Sequence, residues 1–346
     1  MGARATDHHE QRTGLLLEQA RGRTDGLLRA CLQDLPPRMR LICGYQLGWW
    51  DADGTGPPVG AGKALRPALA LAAARAAGGR AEDAVPAGAA VELAHNFSLV
   101  HDDVVDRDET RRHRPTAWKA FGVPDAIMAG DAMLAMTSRV LVRHDRPTLG
   151  ESVRRLGTAV AQLCEGQHLD CSFEHRADVG LAECLEMAEA KTGALLGAAC
   201  ALGALAVDAS GGQVGAMDAF GRRLGLAFQL VDDLLGIWGD PAVTGKPVGA
   251  DLRVRKMSLP VVAVLETGTE PARRLRALYS VDRCLTTAEV TRATELLELA
   301  GGRRWARGQA EAHLLAALDV LDRSLPSGGD ATDLRALSAL ITRRKL

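Results

Sequence analysis

Two short runs of aspartate interrupt otherwise apolar stretches of this chain. The first is Asp102-Asp103-Val104-Val105-Asp106; the second, Asp232-Asp233, follows 130 residues later. If each run is helical, Asp102 and Asp106 stand one turn apart on the same face. Like charges at that spacing repel, and a helix formed only for packing gains nothing from them. A divalent cation does gain: magnesium takes one or two carboxylates and completes its shell with water and phosphate oxygens. One Asp-Asp pair on a helix is ordinarily a solvated face. Here each pair closes an apolar run, Val91 to Val100 and Leu224 to Val231, and each precedes a flexible basic loop. Two such arrangements predict facing helices with carboxylates at the mouth of an apolar cleft.

Cations stand near both runs. Arg111 and Arg112 follow the first, and Lys246 and Lys256 lie in the loop after the second. Lys191-Thr192 opens an uncharged stretch that reaches Val207, and Lys63 and Arg66 share a helical face three residues apart. Of 42 basic residues only six are lysine, and Lys63, Lys191, Lys246 and Lys256 are four of them. Where arginine is the default, a retained lysine marks a place for a compact point charge. Carboxylates for metal, with Arg and Lys around an apolar cavity, describe a site for a diphosphate carrying a hydrocarbon tail.

The elements that must position these groups read as helices. The 346 residues are 47% hydrophobic but only 3% aromatic, and no segment alternates with period two between hairpin turns. Residues 1–12 lack periodicity and read as a flexible tail; 13–346 read as a single all-α domain. Gly/Pro-rich loops are expected over Asp51 to Gly62 and from Gly239 to about Met257. The near-zero net charge of −1 argues against nucleic acid and against a polybasic membrane anchor. Seven scattered cysteines, none two residues from another, argue against a zinc site or disulfide framework. No signal peptide or membrane-length apolar run is evident, so the cytoplasm is the expected compartment.

The motifs resemble those of the trans-isoprenyl diphosphate synthases, the polyprenyl synthetase family, over about residues 45 to 345. They run Gly62-Lys63-x-x-Arg66-Pro67, Glu92-Leu93-x-His95, Asp102-Asp103-x-x-Asp106-x-x-x-x-Arg111-Arg112, and Gly130-Asp131. Gly166-Gln167-x-x-Asp170, Lys191-Thr192, Phe228-Gln229-x-x-Asp232-Asp233, Thr244-Gly245-Lys246-Pro247 and Lys256-x-Ser258-x-Pro260 follow in order. The resemblance implies an isoprenoid-synthase-type helical bundle around a deep central cavity, assembled as a homodimer. It implies condensation of isopentenyl diphosphate with an allylic diphosphate, using magnesium, three ions per active site. Asp102, Asp106 and Asp232 would be metal ligands, with Asp103 and Asp233 supporting. Arg111, Lys191, Gln229, Lys256 and Lys246 would meet the allylic diphosphate. Lys63, Arg66, His95 and Arg112 would hold isopentenyl diphosphate, and Thr192 and Gln167 would line the region where the carbocation forms. Gly236 departs from the pattern by replacing a third aspartate, for which Asp240 and Asp251 are the candidate substitutes.

The hydrocarbon tail is expected to run along the first-motif helix, where one turn of about 5.4 Å matches roughly one isoprene unit. Phe97 and Ser98, five and four residues before Asp102, are the expected floor, and the resemblance points to a C20 product, geranylgeranyl diphosphate. Rival readings are a farnesyl diphosphate synthase, a class I terpene cyclase, and a non-catalytic partner subunit of a prenyl synthase. A cyclase needs one diphosphate pocket, whereas two sets of cations are present.

Overall fold

The computed structural model describes residues 2–56, 62–143, 146–176, 178–241, 245, 247–325 and 329–342, with backbone alone at 2–10 and 341–342. Helices dominate it, as the scarcity of aromatics and of period-two alternation predicts. Residues group into two compact units. One comprises Met1–Val160, Ala198–Asp218 and Arg323–Leu337; the other comprises Ala161–Gly197, Ala219–Asp322 and Ser338–Leu346.

The first unit is built on α4 (Val85–Val105), which carries the first acidic run. Pro86 lies in its first turn, where the missing N–H leaves no hydrogen bond unmade. The Ala-rich body of α4 is buried and packs against α1 (Gly2–Leu32), α3 (Leu65–Ala76) and α6 (Val123–Val142). Small side chains permit close approach: a Cβ on Gly203 of α9 (Ala194–Leu205) would lie 2.1 Å from the Ala70 carbonyl oxygen. The uncharged stretch after Lys191 is thus a core helix, since α9 is buried from end to end.

Two features differ from the sequence expectation. The stretch expected to be a tail is continuous with α1, and Arg12 is already engaged, 2.7 Å from Asp333. Asp333, buried in α16 (Thr332–Thr342), also meets Arg75 at 2.9 Å. An ion pair rather than an apolar stripe anchors this end, so periodicity does not reveal it. Secondly, Thr110–Arg111 and Arg114–Pro115 form a small antiparallel hairpin, with Arg111 opposite Arg114. Its turn residues Arg112 and His113 both have positive φ, 52° and 62°, the geometry of a type I′ turn that usually falls to Asn-Gly. Two-residue strands are too short to show alternation.

The second unit has its own core. From α10 (Gly211–Trp238) come Leu226, Leu230, Leu234 and Ile237, packed with apolar residues of α12 (Leu259–Glu266) and α14 (Thr287–Leu299). Between α8 (Leu181–Ala188) and α9, residues Glu189–Gly193 form one turn of π-helix. Such turns are rare and concentrate at functional sites; this one holds Lys191 and Thr192. No helix among the described residues is long and apolar enough to cross a membrane.

Candidate active site

The first acidic run closes α4. The Asp106 N–H caps the helix by donating to the Asp102 carbonyl at 2.8 Å, so the two side chains share a face as their spacing predicts. Here the helix dipole is already negative, and carboxylates are unfavourable without a cation. Asp102 is half-buried and Asp106 exposed, whereas Asp103 is 1% exposed. Arg111 grips Asp103 Oδ1 with Nε at 2.7 Å and Nη2 at 2.6 Å. Burial pushes the Asp103 carboxyl up and Arg111 pulls it back. Arg111, expected on the allylic diphosphate, thus first ties the hairpin to α4 through Asp103.

The neighbouring Arg112 lies against Gly62, where a Cβ would fall 2.8 Å from Nη2. Arg21 of α1 donates to the Gly62 carbonyl. Ala64, at φ 52°, turns the chain into α3, leaving Lys63 exposed and Arg66 half-buried. Arg66 Nε is buried with no acceptor. Burial, opposed by Glu92 and aided by Arg112, pushes the Arg66 guanidinium down to about 10. Burial and then Arg66, Arg112 and Arg111 hold His95 well below the usual histidine range, so it stays neutral. Glu92, one turn before His95, has its carboxyl pushed up by burial, against the pull of Arg66, Asn96, Arg112 and Arg21. The structure therefore brings Arg66, His95 and Arg112 into one electropositive patch, with Lys63 beside it in the chain. Sequence reasoning missed Arg21, which no motif marks, and gave no role to Glu92, a charge inside an apolar run.

Phe97 and Ser98 are both buried in α4, 4% and 5% exposed. Phe97 meets the His101 ring edge-on with centroids 5.5 Å apart. His101 is fixed in turn by the Ile127 carbonyl, 3.0 Å from Nε2, and by Gly130, where a Cβ would lie 2.3 Å from the ring.

In the second unit Asp232 is exposed and Asp233 is buried. Asp233 accepts from Gln229 Nε2 and from the Leu259 N–H, each at 2.9 Å. Burial pushes its carboxyl up to about 7, against the pull of Lys256 and these two donors. Gln229 Oε1 accepts from the Thr192 hydroxyl at 2.8 Å. The Gln229 amide thus orients Thr192 and Asp233. Gly236 has a steric reason. A Cβ there would lie 2.0 Å from Asp251 Oδ2, so a carboxylate from α11 (Ala250–Arg253) already fills the space. Of the two substitutes for a third aspartate, this geometry favours Asp251.

Gly166 of α7 (Leu149–Phe173) lets the π-turn approach, since a Cβ would fall 2.3 Å from the Lys191 nitrogen. One turn further, Asp170 Oδ2 lies 2.5 Å from Lys191 Nζ and 3.7 Å from Lys256 Nζ. Gln167 donates to Cys171 Sγ at 3.5 Å, while its Oε1 is buried without a donor. Lys246 lies outside the described residues.

Among the described residues no three His, Cys, Asp or Glu side chains are grouped to hold a metal ion by themselves. The acids present hard oxygens in ones and twos. That suits magnesium shared with a phosphate-bearing substrate and does not suit a self-sufficient zinc cage.

A helix-dominated fold that carries an acidic pair on each of two helices, each pair with cations in its own unit, suits an enzyme of the trans-prenyltransferase class. The chain belongs to the polyprenyl synthetase family, whose model matches residues 58–297. It is 46% identical over 331 residues to a geranylgeranyl diphosphate synthase of Mycobacterium tuberculosis (strain ATCC 25618 / H37Rv), covering 95% of this chain and 93% of that one. It is 45% identical over 343 residues to a (2E,6E)-farnesyl diphosphate synthase of the same organism, covering 98% and 96%. Among solved structures, a polyprenyl synthetase from Streptomyces coelicolor A3(2) superposes with a TM-score of 0.89 at 42% identity, covering 94% of this chain and 98% of that one.

Proposed function

We propose that this enzyme joins isopentenyl diphosphate head to tail onto dimethylallyl, geranyl and farnesyl diphosphates, with geranylgeranyl diphosphate as main product. The observation that carries this reading is the presence of two separate cation sets, Arg66/His95/Arg112 with Lys63, and Lys191/Lys256, one for each diphosphate. We take residues 13–346 to be one catalytic domain, a reading supported by the family match over residues 58–297. We take the working form to be a cytoplasmic homodimer.

In this reading Lys191 and Lys256 bind the allylic diphosphate, and Asp102, Asp106 and Asp232 would hold magnesium. Bound magnesium would supply positive charge toward the departing diphosphate. Lys191 and Lys256 act as fixed cations that stabilise charge as it builds on the leaving oxygens. Thr192, held by Gln229, and the unpaired Gln167 Oε1 offer neutral dipoles to the cation left behind. His95, kept neutral, donates a hydrogen bond to isopentenyl diphosphate without adding charge to a patch already rich in guanidinium. The departing diphosphate is the base that accepts the proton lost after attack. Phe97, braced by His101, limits the tail.

Incubating the purified chain with magnesium, isopentenyl diphosphate and each allylic primer tests the reading. An elongated C20 diphosphate supports it; a released cyclic hydrocarbon would make the chain a cyclase, and no turnover a silent subunit. Phe97→Ala should lengthen the product by at least one isoprene unit by mass spectrometry. Unchanged lengths would remove Phe97 as the floor.

A further inference from the structure

Asp170 belongs to a motif read from the sequence, yet nothing above gives it a task. It stands one turn beyond Gly166 on α7, and Gly166 fixes where α7 meets the π-turn. From that register a single carboxylate oxygen of Asp170 faces both ammonium groups, Lys191 Nζ at 2.5 Å and Lys256 Nζ at 3.7 Å. The two lysines come from distant segments, the π-turn and the residues following α11. All three side chains are largely shielded from solvent, at 15% exposure for Asp170, 24% for Lys191 and 33% for Lys256.

We infer that Asp170 is a positioning residue: it holds Lys191 and Lys256 converged on one point, so that the pair is already assembled when an allylic diphosphate arrives. The inference rests on the assignment of these two lysines to that substrate. Lysine is a flexible point charge with a strongly hydrated head and, unlike arginine, brings no planar fork to fix its direction. Two ammoniums aimed at the same place repel and turn toward water unless an anion lies between them. Asp170 is that anion. It remains ionised because Lys256 and Lys191 together outweigh the penalty of its burial. Asp170 offsets only one of the two ammoniums, and although Lys256 also feels Asp233, Asp251 and Asp232, the Lys191 and Lys256 heads remain a paired target for a diphosphate. Binding then needs less ordering of long side chains, and preorganisation of that kind appears as affinity.

A second role for the same carboxylate predicts the reverse. If Asp170 merely competed with substrate for the lysines, its removal would tighten binding. The experiment compares the full-length enzyme with Asp170→Asn and Asp170→Glu, using inorganic pyrophosphate in magnesium as the calorimetric probe. Steady-state constants for both substrates and thermal melts accompany it. We expect Asp170→Asn to weaken pyrophosphate about tenfold and to raise the allylic KM by a similar factor, with the isopentenyl diphosphate KM within twofold. Asp170→Glu, which keeps the charge, should recover at least part of the affinity. Equal or tighter pyrophosphate binding by Asp170→Asn overturns the inference. So does an equal rise in both KM values, which would mark a general structural defect, and so does a melt showing that neither variant folds, because preorganisation of two lysines cannot be a condition of folding. Failure of the broader reading looks different: the unaltered enzyme would then not elongate allylic diphosphates at all, whatever pyrophosphate does.

Discussion

Each unit gathers basic side chains about one carboxyl, but the two gatherings differ in kind. In the first unit guanidiniums predominate, and Glu92 feels Arg66, Arg112 and Arg21 while its own hydrogen bond comes from the Asn96 amide at 3.2 Å. In the second, two ammoniums converge on Asp170. Burial raises the Glu92 carboxyl against the pull of its guanidiniums, whereas at Asp170 the pull of Lys256 and Lys191 exceeds the effect of burial and the carboxyl is lowered. The aspartate pairs differ in the type of partner, although burial raises both buried carboxyls. Asp103 is held by a charged fork, Asp233 by an amide and a backbone N–H. Arginine supplies fixed geometry in one unit, and in the other lysine borrows its geometry from an acid.

The strongest way to break this comparison is to remove one cation from each set. Lys191→Ala is expected to lower kcat/KM for the allylic substrate by about 10²–10³-fold. Arg66→Ala should act instead on the KM for isopentenyl diphosphate, measured with the primer saturating. If both variants affected the same substrate, the two sets would form one pocket and the contrast would fail.

Next in size are the supporting aspartates. Asp103→Asn leaves Arg111 without its charged partner and should destabilise by about 3 kcal/mol in denaturant titrations. Asp233→Asn replaces a carboxyl held by neutral donors and should cost less than about 1 kcal/mol. Equal losses would mean that both acids are held in the same way.

Crowding a backbone contact comes third. Gly166→Ala and Gly236→Asp should each lose about 1–3 kcal/mol, the usual effect of overpacking. Restoring the third aspartate at 236 is expected to add no activity, because the Asp251 carboxylate already occupies that space. A gain in turnover would show that Asp251 moves aside readily.

The smallest effects sharpen the contrast through pH. Asp170 is lowered on folding, so its contribution is present above the unfolded value of about 4 and is lost as pH falls below it. Glu92 is raised, so the favourable protonated form dominates below about 4 and its contribution is lost as pH rises. Asp170→Asn should therefore destabilise at neutral pH and approach the parent in acid. Glu92→Gln should match the parent in acid and gain on it toward neutrality. Parallel melting curves against pH for the two variants would erase the distinction.

Residue type and local spacing made much of the site legible. Asp102 and Asp106 share a face because a helix repeats every 3.6 residues, and no distant residue is needed to foresee it. The retained lysines stood out against a background of arginine. What was not legible depends on partners far along the chain. Nothing local shows that Gly166 meets the Lys191 backbone, that Asp251 fills the space above Gly236, or that Arg21 reaches Gly62. The hairpin that carries Arg111 and Arg112 was hidden for another reason. Its turn uses Arg and His where glycine or asparagine would announce a left-handed backbone.

The pair formed by Arg12 and Asp333 spans 321 positions of chain. Synthesis proceeds from the N-terminus, and domains fold as they emerge. For the first unit that order has a cost: its opening helix must wait on the ribosome, with the Arg12 guanidinium lacking its Asp333 partner, until residue 333 has been made. Nascent chains halted before residue 333 should accordingly be more easily cleaved by protease than chains released with α16 in place.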